Sequence, residues 1–223
     1  MTMRRSVPYP RRIVHQKGKN LMPYITPVPR DEATGLLKEQ YDAAESATGY
    51  IPNYLKVFSH RPEVYQAWQT LLASIRTNMT LRRYELVTLA AARRLQGTYC
   101  MLAHGNVLLK KGEVDEAQLT EIATNYQQAG LTEEEVAIMA FAEKVIAASG
   151  SITQADVDSL RSFGLTDAEV LDITLAATAR SFFSKTIDAL NAEPDGVYAG
   201  LQTDVRLALT VGRTFDTLGT AGE

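Results

Sequence analysis

One run of sequence constrains the fold more than any other: LRRYELVTLAAARRL, residues 81–95, followed at once by QGTYCMLAHGNVLLKKG. The first part is strongly helical, with Leu86, Leu89, Ala90 and Ala92 on a side small enough for another helix to pack closely. Gly97 interrupts it. A second helix is predicted to begin near Thr98 and to end at Gly112. Two helices joined by so short a turn fold back on one another, and the rest of the chain must be built around that hairpin.

The remaining pattern is also helical. A helix is expected over residues 35–46, after the proline-broken stretch LMPYITPVPRDEA. Pro62 suits the first turn of the next helix, which carries Val64, Trp68, Leu71, Leu72 and Ile75 at helical spacing. Further helices are expected in 115–130, 131–149, 153–164 and 165–191, with capping boxes at Thr132/Glu135 and Thr166/Glu169. A last one is expected in TDVRLALTVGRTFDTL, residues 203–218. No alternating strand pattern competes with these, so the class is all-α. Leu81, Glu85, Leu89 and Ala92 are echoed in spacing by Leu165, Glu169, Ile173 and Ala176, which suggests two related helical units, about 62–130 and 131–215. In the second unit Ser184 and Asp188 stand where Cys100 and His104 stand in the first.

At 223 residues the chain is long enough for one sizeable core. It has one cysteine, which excludes an internal disulfide and fits a reducing, cytoplasmic setting. No apolar run is long enough to span a membrane. Net charge is -3, but it is unevenly placed: residues 1–20 hold six Lys/Arg and no Asp/Glu, leaving 17 basic and 26 acidic residues elsewhere. Residues 1–21 are expected to be a poorly ordered basic extension, with Met22 a more usual beginning, ahead of a single domain over 22–223. Neither nucleic acid nor membrane is expected as a partner. No nicotinamide, flavin or phosphate-loop motif is present, so no cofactor is expected.

The chemistry-bearing residues lie in GTYCMLAHG. Cys100 and His104 are four apart and share a helix face. Cys100 also falls near the helix start, where free N–H groups and the helix dipole favour a thiolate, and an imidazole nearby can take the thiol proton. This predicts a reactive, partly solvent-reachable thiol beside a cavity at the helix start. The competing account is a buried cysteine and a histidine satisfying a carbonyl. One Cys and one His are too few for a closed zinc site. Glu85, in an alanine-rich stretch, returns toward Cys100 and His104 if the hairpin forms, and could relay a proton; otherwise it is a surface carboxylate paired with Arg82 or another arginine. Phe182 and Phe183 are candidates for a wall near the thiol or between subunits, and Tyr99 should point elsewhere.

The stretch ELVTLAAARRLQGTYCMLAHG resembles the core motif of the AhpD-like alkylhydroperoxidase and carboxymuconolactone decarboxylase superfamily, in its peroxidase-related branch. The resemblance extends through IPNYLKVFSHRPEVYQAW and LTDAEVLDITLAATARSFFSKTIDALNAEPD. It implies an all-α AhpD-like fold with both helical units in one chain, and assembly as a homo-oligomer, a dimer or trimer. It implies that Glu85, Cys100 and His104 are the catalytic residues, with Cys100 attacking an organic hydroperoxide. The family motif has a C-x-x-C pair, and its first cysteine is Gly97 here. The resemblance therefore implies a one-cysteine peroxidase that needs an external thiol reductant, with Gly97 widening the approach to Cys100. Its decarboxylase side implies a second possibility, acid–base chemistry by Glu85 and His104 on a small organic acid or lactone. A third is a non-catalytic protein that senses oxidants or binds a partner on the same fold.

Overall fold

The computed structural model describes residues 23–215, so the basic segment expected over 1–21 lies outside the described residues. Within them are ten α-helices and no strand. In order these are α1 Gly35–Thr48, α2 Asn53–Val57, α3 Pro62–Arg76, α4 Leu81–Leu95, α5 Thr98–Lys110, α6 Glu116–Asn125, α7 Glu133–Ala148, α8 Gln154–Ser162, α9 Asp167–Ala189 and α10 Thr203–Leu209. Several starts have a local cause. Pro62 opens α3, Thr80 accepts from the Arg83 N–H at the head of α4, and Thr132 and Thr166 close reciprocal boxes with Glu135 and Glu169.

Helix α4 is the axis of the molecule, packed by α5, α7 and α9. Its alanine-rich side was expected to be the packed one; instead every residue from Tyr84 to Ala92 is buried. A helix apolar and small on all sides can be wrapped completely, and the alanines let three neighbours approach it at once. The charges collect at its ends. Arg82 pairs with Glu135 at 2.5 Å, Arg83 with both Glu134 and Glu169 at 2.7 Å, and Arg93 with Glu143 at 3.3 Å. These ties hold α4 to α7 and α9.

The two segments compared in spacing differ in form: one breaks into α4 and α5 at Gln96–Gly97, whereas the other continues as the single 23-residue α9. The final helix is shorter than the sequence suggests, ending at Leu209. The cause is a latch on α5. The Gly212 N–H donates to Thr98 Oγ1 at 3.0 Å, Thr98 Oγ1 donates to the Arg213 carbonyl at 2.9 Å, and a side chain at Gly212 would overlap the Gln96 carbonyl. A continued helix could not lie flat there.

The Arg83–Glu169 tie makes stability sensitive to acid. Glu169 is held down to about 2, first by the Thr166 N–H and then by Arg83. A carboxyl depressed on folding contributes fully above its ordinary value and loses that contribution as pH falls toward about 2. With Glu169 a third exposed, solvent screening limits the effect to ~1 kcal/mol. The melting temperature of Glu169→Gln should lie below wild type near neutral pH, and the two should converge as pH falls below 4. A gap unchanged by acid would show that the carboxylate charge contributes nothing.

Candidate functional site

The turn between α4 and α5 sets the site. Gln96 takes a left-handed conformation (φ 58°), reversing the chain so that α5 returns along α4. Gly97 follows as the cap of α5 with an ordinary φ of -86°. Its need for glycine is spatial: a Cβ there would overlap Ser184 Oγ from α9. The expected widened approach to Cys100 is absent, because Ser184, fully buried, fills that space. Ser184 and Asp188 of α9 thus lie against this turn. The Ser184 hydroxyl donates to Asp188 Oδ2 at 3.3 Å, and burial pushes the Asp188 carboxyl up.

The folded hairpin brings Glu85 of α4 against His104 of α5. His104 Nδ1 lies 2.5 Å from Glu85 Oε2. A carboxylate can only accept, so Nδ1 carries the proton and Nε2 keeps its lone pair. Glu85 is 2 % exposed, although charged residues are seldom so buried unless paired. Arg82, the alternative partner, is taken by Glu135. Burial lowers the His104 pKa, the Arg180 charge lowers it further, and Glu85 opposes both. The net direction keeps the imidazole neutral near pH 7.

Cys100, in the first turn of α5, is also 2 % exposed, where a partly solvent-reachable thiol was expected. The helix start is sealed from above by Ser184 and by the latch at Gly212 and Arg213. Nor does the sulfur share a hydrogen bond with His104 among the described residues. Its partner is Arg180 of α9, whose Nη1–H donates to Sγ at 3.6 Å and whose Nη2–H donates to the Tyr84 hydroxyl at 3.2 Å. Arg180 is 3 % exposed. Burial works against its charge, but the sulfur and the Tyr84 oxygen more than offset this and raise its pKa. Sequence reasoning did not single out Arg180. The one available signal was a lone arginine inside the otherwise small and apolar run LAATARSFF.

The surroundings are aromatic. Phe183 is buried, stacked on Phe58 and Trp68 with ring centroids 5.7 and 5.3 Å away, and lies under the Arg180 guanidinium. Phe182 instead rests on Trp68 and stays half exposed. The Tyr99 hydroxyl turns away from the thiol and donates to buried Asp195 at 2.5 Å. Tyr84 meets the His104 ring edge-to-face, 6.2 Å between centroids, and carries the Arg76 guanidinium 5.0 Å over its ring. A cavity of about 360 Å³ opens at the α3–α4 junction, lined by Ala73, Arg76, Thr77, Met79, Leu81 and Tyr84. Tyr84 is its one buried wall and also touches the guanidinium on Cys100. Among the described residues no three His, Cys, Asp or Glu side chains gather as a metal site would need. Nor is any described helix long and apolar enough to cross a membrane.

The arrangement defines a class: an all-helical scaffold holding a buried carboxylate–imidazole pair one helical turn from a lone cysteine. Residues 62–144 match the carboxymuconolactone decarboxylase family, a span that includes Glu85, Cys100 and His104. The match spans the central unit that carries the motif, and the fold is AhpD-like. The chain is similar to an uncharacterized peroxidase-related protein with an AhpD core from Ralstonia eutropha JMP134. That likeness has a TM-score of 0.72 at 20% identity and covers 86% of this chain and 98% of that one. A peroxidase-related protein from Silicibacter sp. TM1040 gives 0.68 at 23% identity, covering 83% and 97%. The debrominase Bmp8 gives 0.62 at 16% identity, covering 86% and 97%. No curated protein matches the chain.

Proposed function

We propose that the chain is a thiol-dependent hydroperoxide reductase, with Cys100 as nucleophile and Glu85–His104 as its proton relay. The observation that carries this is the 2.5 Å contact of buried Glu85 with His104, which leaves Nε2 of a neutral imidazole free one turn beyond the sulfur. The His104 ring takes the thiol proton at Nε2, and Glu85 balances the imidazolium that forms. The sulfur then attacks the terminal oxygen of the hydroperoxide. The S–O bond forms as the O–O bond breaks, and the departing alkoxide takes the proton from His104. Sulfur is oxidised by two electrons, and the hydroperoxide is reduced to an alcohol. With glycine at 97, the sulfenic acid has no cysteine three residues away to condense with. An external thiol condenses with it, releasing water, and a second thiol frees Cys100. The presence of peroxidase-related proteins among chains of the same fold supports this reading.

A second reading is favoured by one observation: the sulfur bonds to Arg180 and not to His104. Glu85 and His104 could then act alone as acid and base on a small organic acid, and a debrominase on the same fold shows that the scaffold hosts other chemistries. Intact mass separates the two. One equivalent of an organic hydroperoxide should add one oxygen to the protein, or one dimedone adduct when dimedone is present, mapped to Cys100. An unmodified protein after this treatment would sink the peroxidase reading.

A further inference from the structure

Arg180 poses a problem that the proton relay does not solve. It is 3 % exposed, and no carboxylate among the described residues forms an ion pair with it. Glu85, the buried carboxylate of the site, is committed to His104. Buried charges are costly unless an opposite charge meets them. The groups facing the guanidinium are few: Tyr84 from α4, Cys100 from α5 and the Phe183 ring on its own helix. His104 and Arg76 are felt at longer range around the same site, and neither supplies negative charge. One donor is also idle, because Arg180 Nε is buried and has no acceptor.

We propose that Arg180 is a catalytic residue that holds the anionic states of Cys100, the thiolate before oxidation and the sulfenate after it. The proposal rests on Cys100 being the nucleophile. Of the groups around the guanidinium, the sulfur is the one whose chemistry generates negative charge near neutral pH. It already accepts from Nη1. Oxidation adds an oxygen acceptor to that sulfur, and a guanidinium with an unused N–H can meet it with a short, charge-assisted bond. In balance, thiolate and hydroperoxide give sulfenic acid and alkoxide as one S–O bond forms and one O–O bond breaks; His104 protonates the alkoxide, and its freed Nε2 then takes the sulfenic acid proton, leaving sulfenate beside Arg180. The guanidinium therefore has its counter-charge again when the two-electron step is complete. The same contact explains how a species with no internal partner cysteine persists until an external thiol reaches it.

The chain's single cysteine makes a direct test possible. The ultraviolet absorbance of the thiolate is titrated against pH in the wild-type background, in Arg180→Met and in Arg180→Lys. The matching Cys100→Ser protein is subtracted each time to cancel tyrosine. In Arg180→Met the thiolate band should appear about one pH unit or more higher than in wild type, and Arg180→Lys, which keeps the charge, should lie between them. At neutral pH with excess cumene hydroperoxide, Cys100 oxidation should slow about tenfold or more in Arg180→Met, one pH unit being tenfold in thiolate. A merely structural arginine would lower the melting temperature of these variants without moving the midpoint. Equal midpoints in wild type and Arg180→Lys, together with an unshifted or unfolded Arg180→Met, would overturn the proposal. If the titration shifts as expected but wild-type Cys100 resists hydroperoxide, the peroxidase reading fails while the thiolate role of Arg180 stands.

Discussion

Gly97→Cys is expected to destabilise the protein by about 1–3 kcal/mol, the usual cost of forcing atoms into a packed core. A Cβ at this position overlaps Ser184 Oγ, and Ser184 is fully buried and engaged with Asp188, so it has little room to turn aside. Backbone strain adds nothing, because Gly97 has an ordinary φ of -86°. Removing the hydroxyl should relieve the clash: the Ser184 Cβ is 3.6 Å away, an ordinary contact. Gly97→Cys/Ser184→Ala should therefore recover most of the lost stability, less the ~1 kcal/mol of the Ser184–Asp188 hydrogen bond. Its two cysteines, three residues apart at a helix start, can bring their Cα atoms to about 5.5 Å, the disulfide spacing. The double variant should form an internal disulfide after hydroperoxide, read as loss of two hydrogens in intact mass. It should also turn over faster with a dithiol and over-oxidise less. Denaturant unfolding of the two variants decides the steric part; a Gly97→Cys protein as stable as wild type would show that Ser184 yields freely.

The second large effect concerns which atom is the nucleophile. Cys100→Ser should reduce hydroperoxide consumption to background while leaving the melting temperature nearly unchanged, because a hydroxyl can still accept from Arg180 in the same pocket. Glu85→Gln keeps an acceptor for the His104 N–H but removes the charge that balances the imidazolium. Its rate should fall by about 10²–10⁴, the range associated with general acid–base catalysis. Activity in wild type should decline as pH drops and His104 is protonated, since only the neutral ring can take the thiol proton. A full profile of all three proteins against hydroperoxide and against small organic acids is the discriminating measurement. A reaction that survives Cys100→Ser but disappears in Glu85→Gln and His104→Ala would transfer the chemistry to the acid–base pair.

What could be read from the sequence was whatever local pattern encodes. The helix starts at Pro62, Thr132 and Thr166 were legible because capping is a property of three or four neighbouring residues. The hairpin of α4 on α5 was legible from Gly97, and with it the return of Glu85 toward His104. The rest is tertiary. The contact of Arg180 with Cys100 spans 80 residues, and no periodicity marks it. Whether Gly97 opens a channel or accommodates a neighbour depends on Ser184, which belongs to another helix. The burial of Cys100 and the early end of α10 share one cause, the packing of later residues onto the start of α5, which a pattern counted within α5 or α10 cannot contain.

That packing also orders events in time. Thr98 is joined to Gly212 and Arg213 across more than a hundred residues of chain, and a ribosome makes those residues long after α5. Until they emerge, the start of α5 lacks its cover and the thiol two residues on is shielded only from the α9 side. During synthesis, then, the nascent protein passes through a stage in which its one thiol is less protected than in the folded protein. Oxidative damage at Cys100 should accumulate in translation-arrested chains that stop short of Gly212, and be rarer in finished ones.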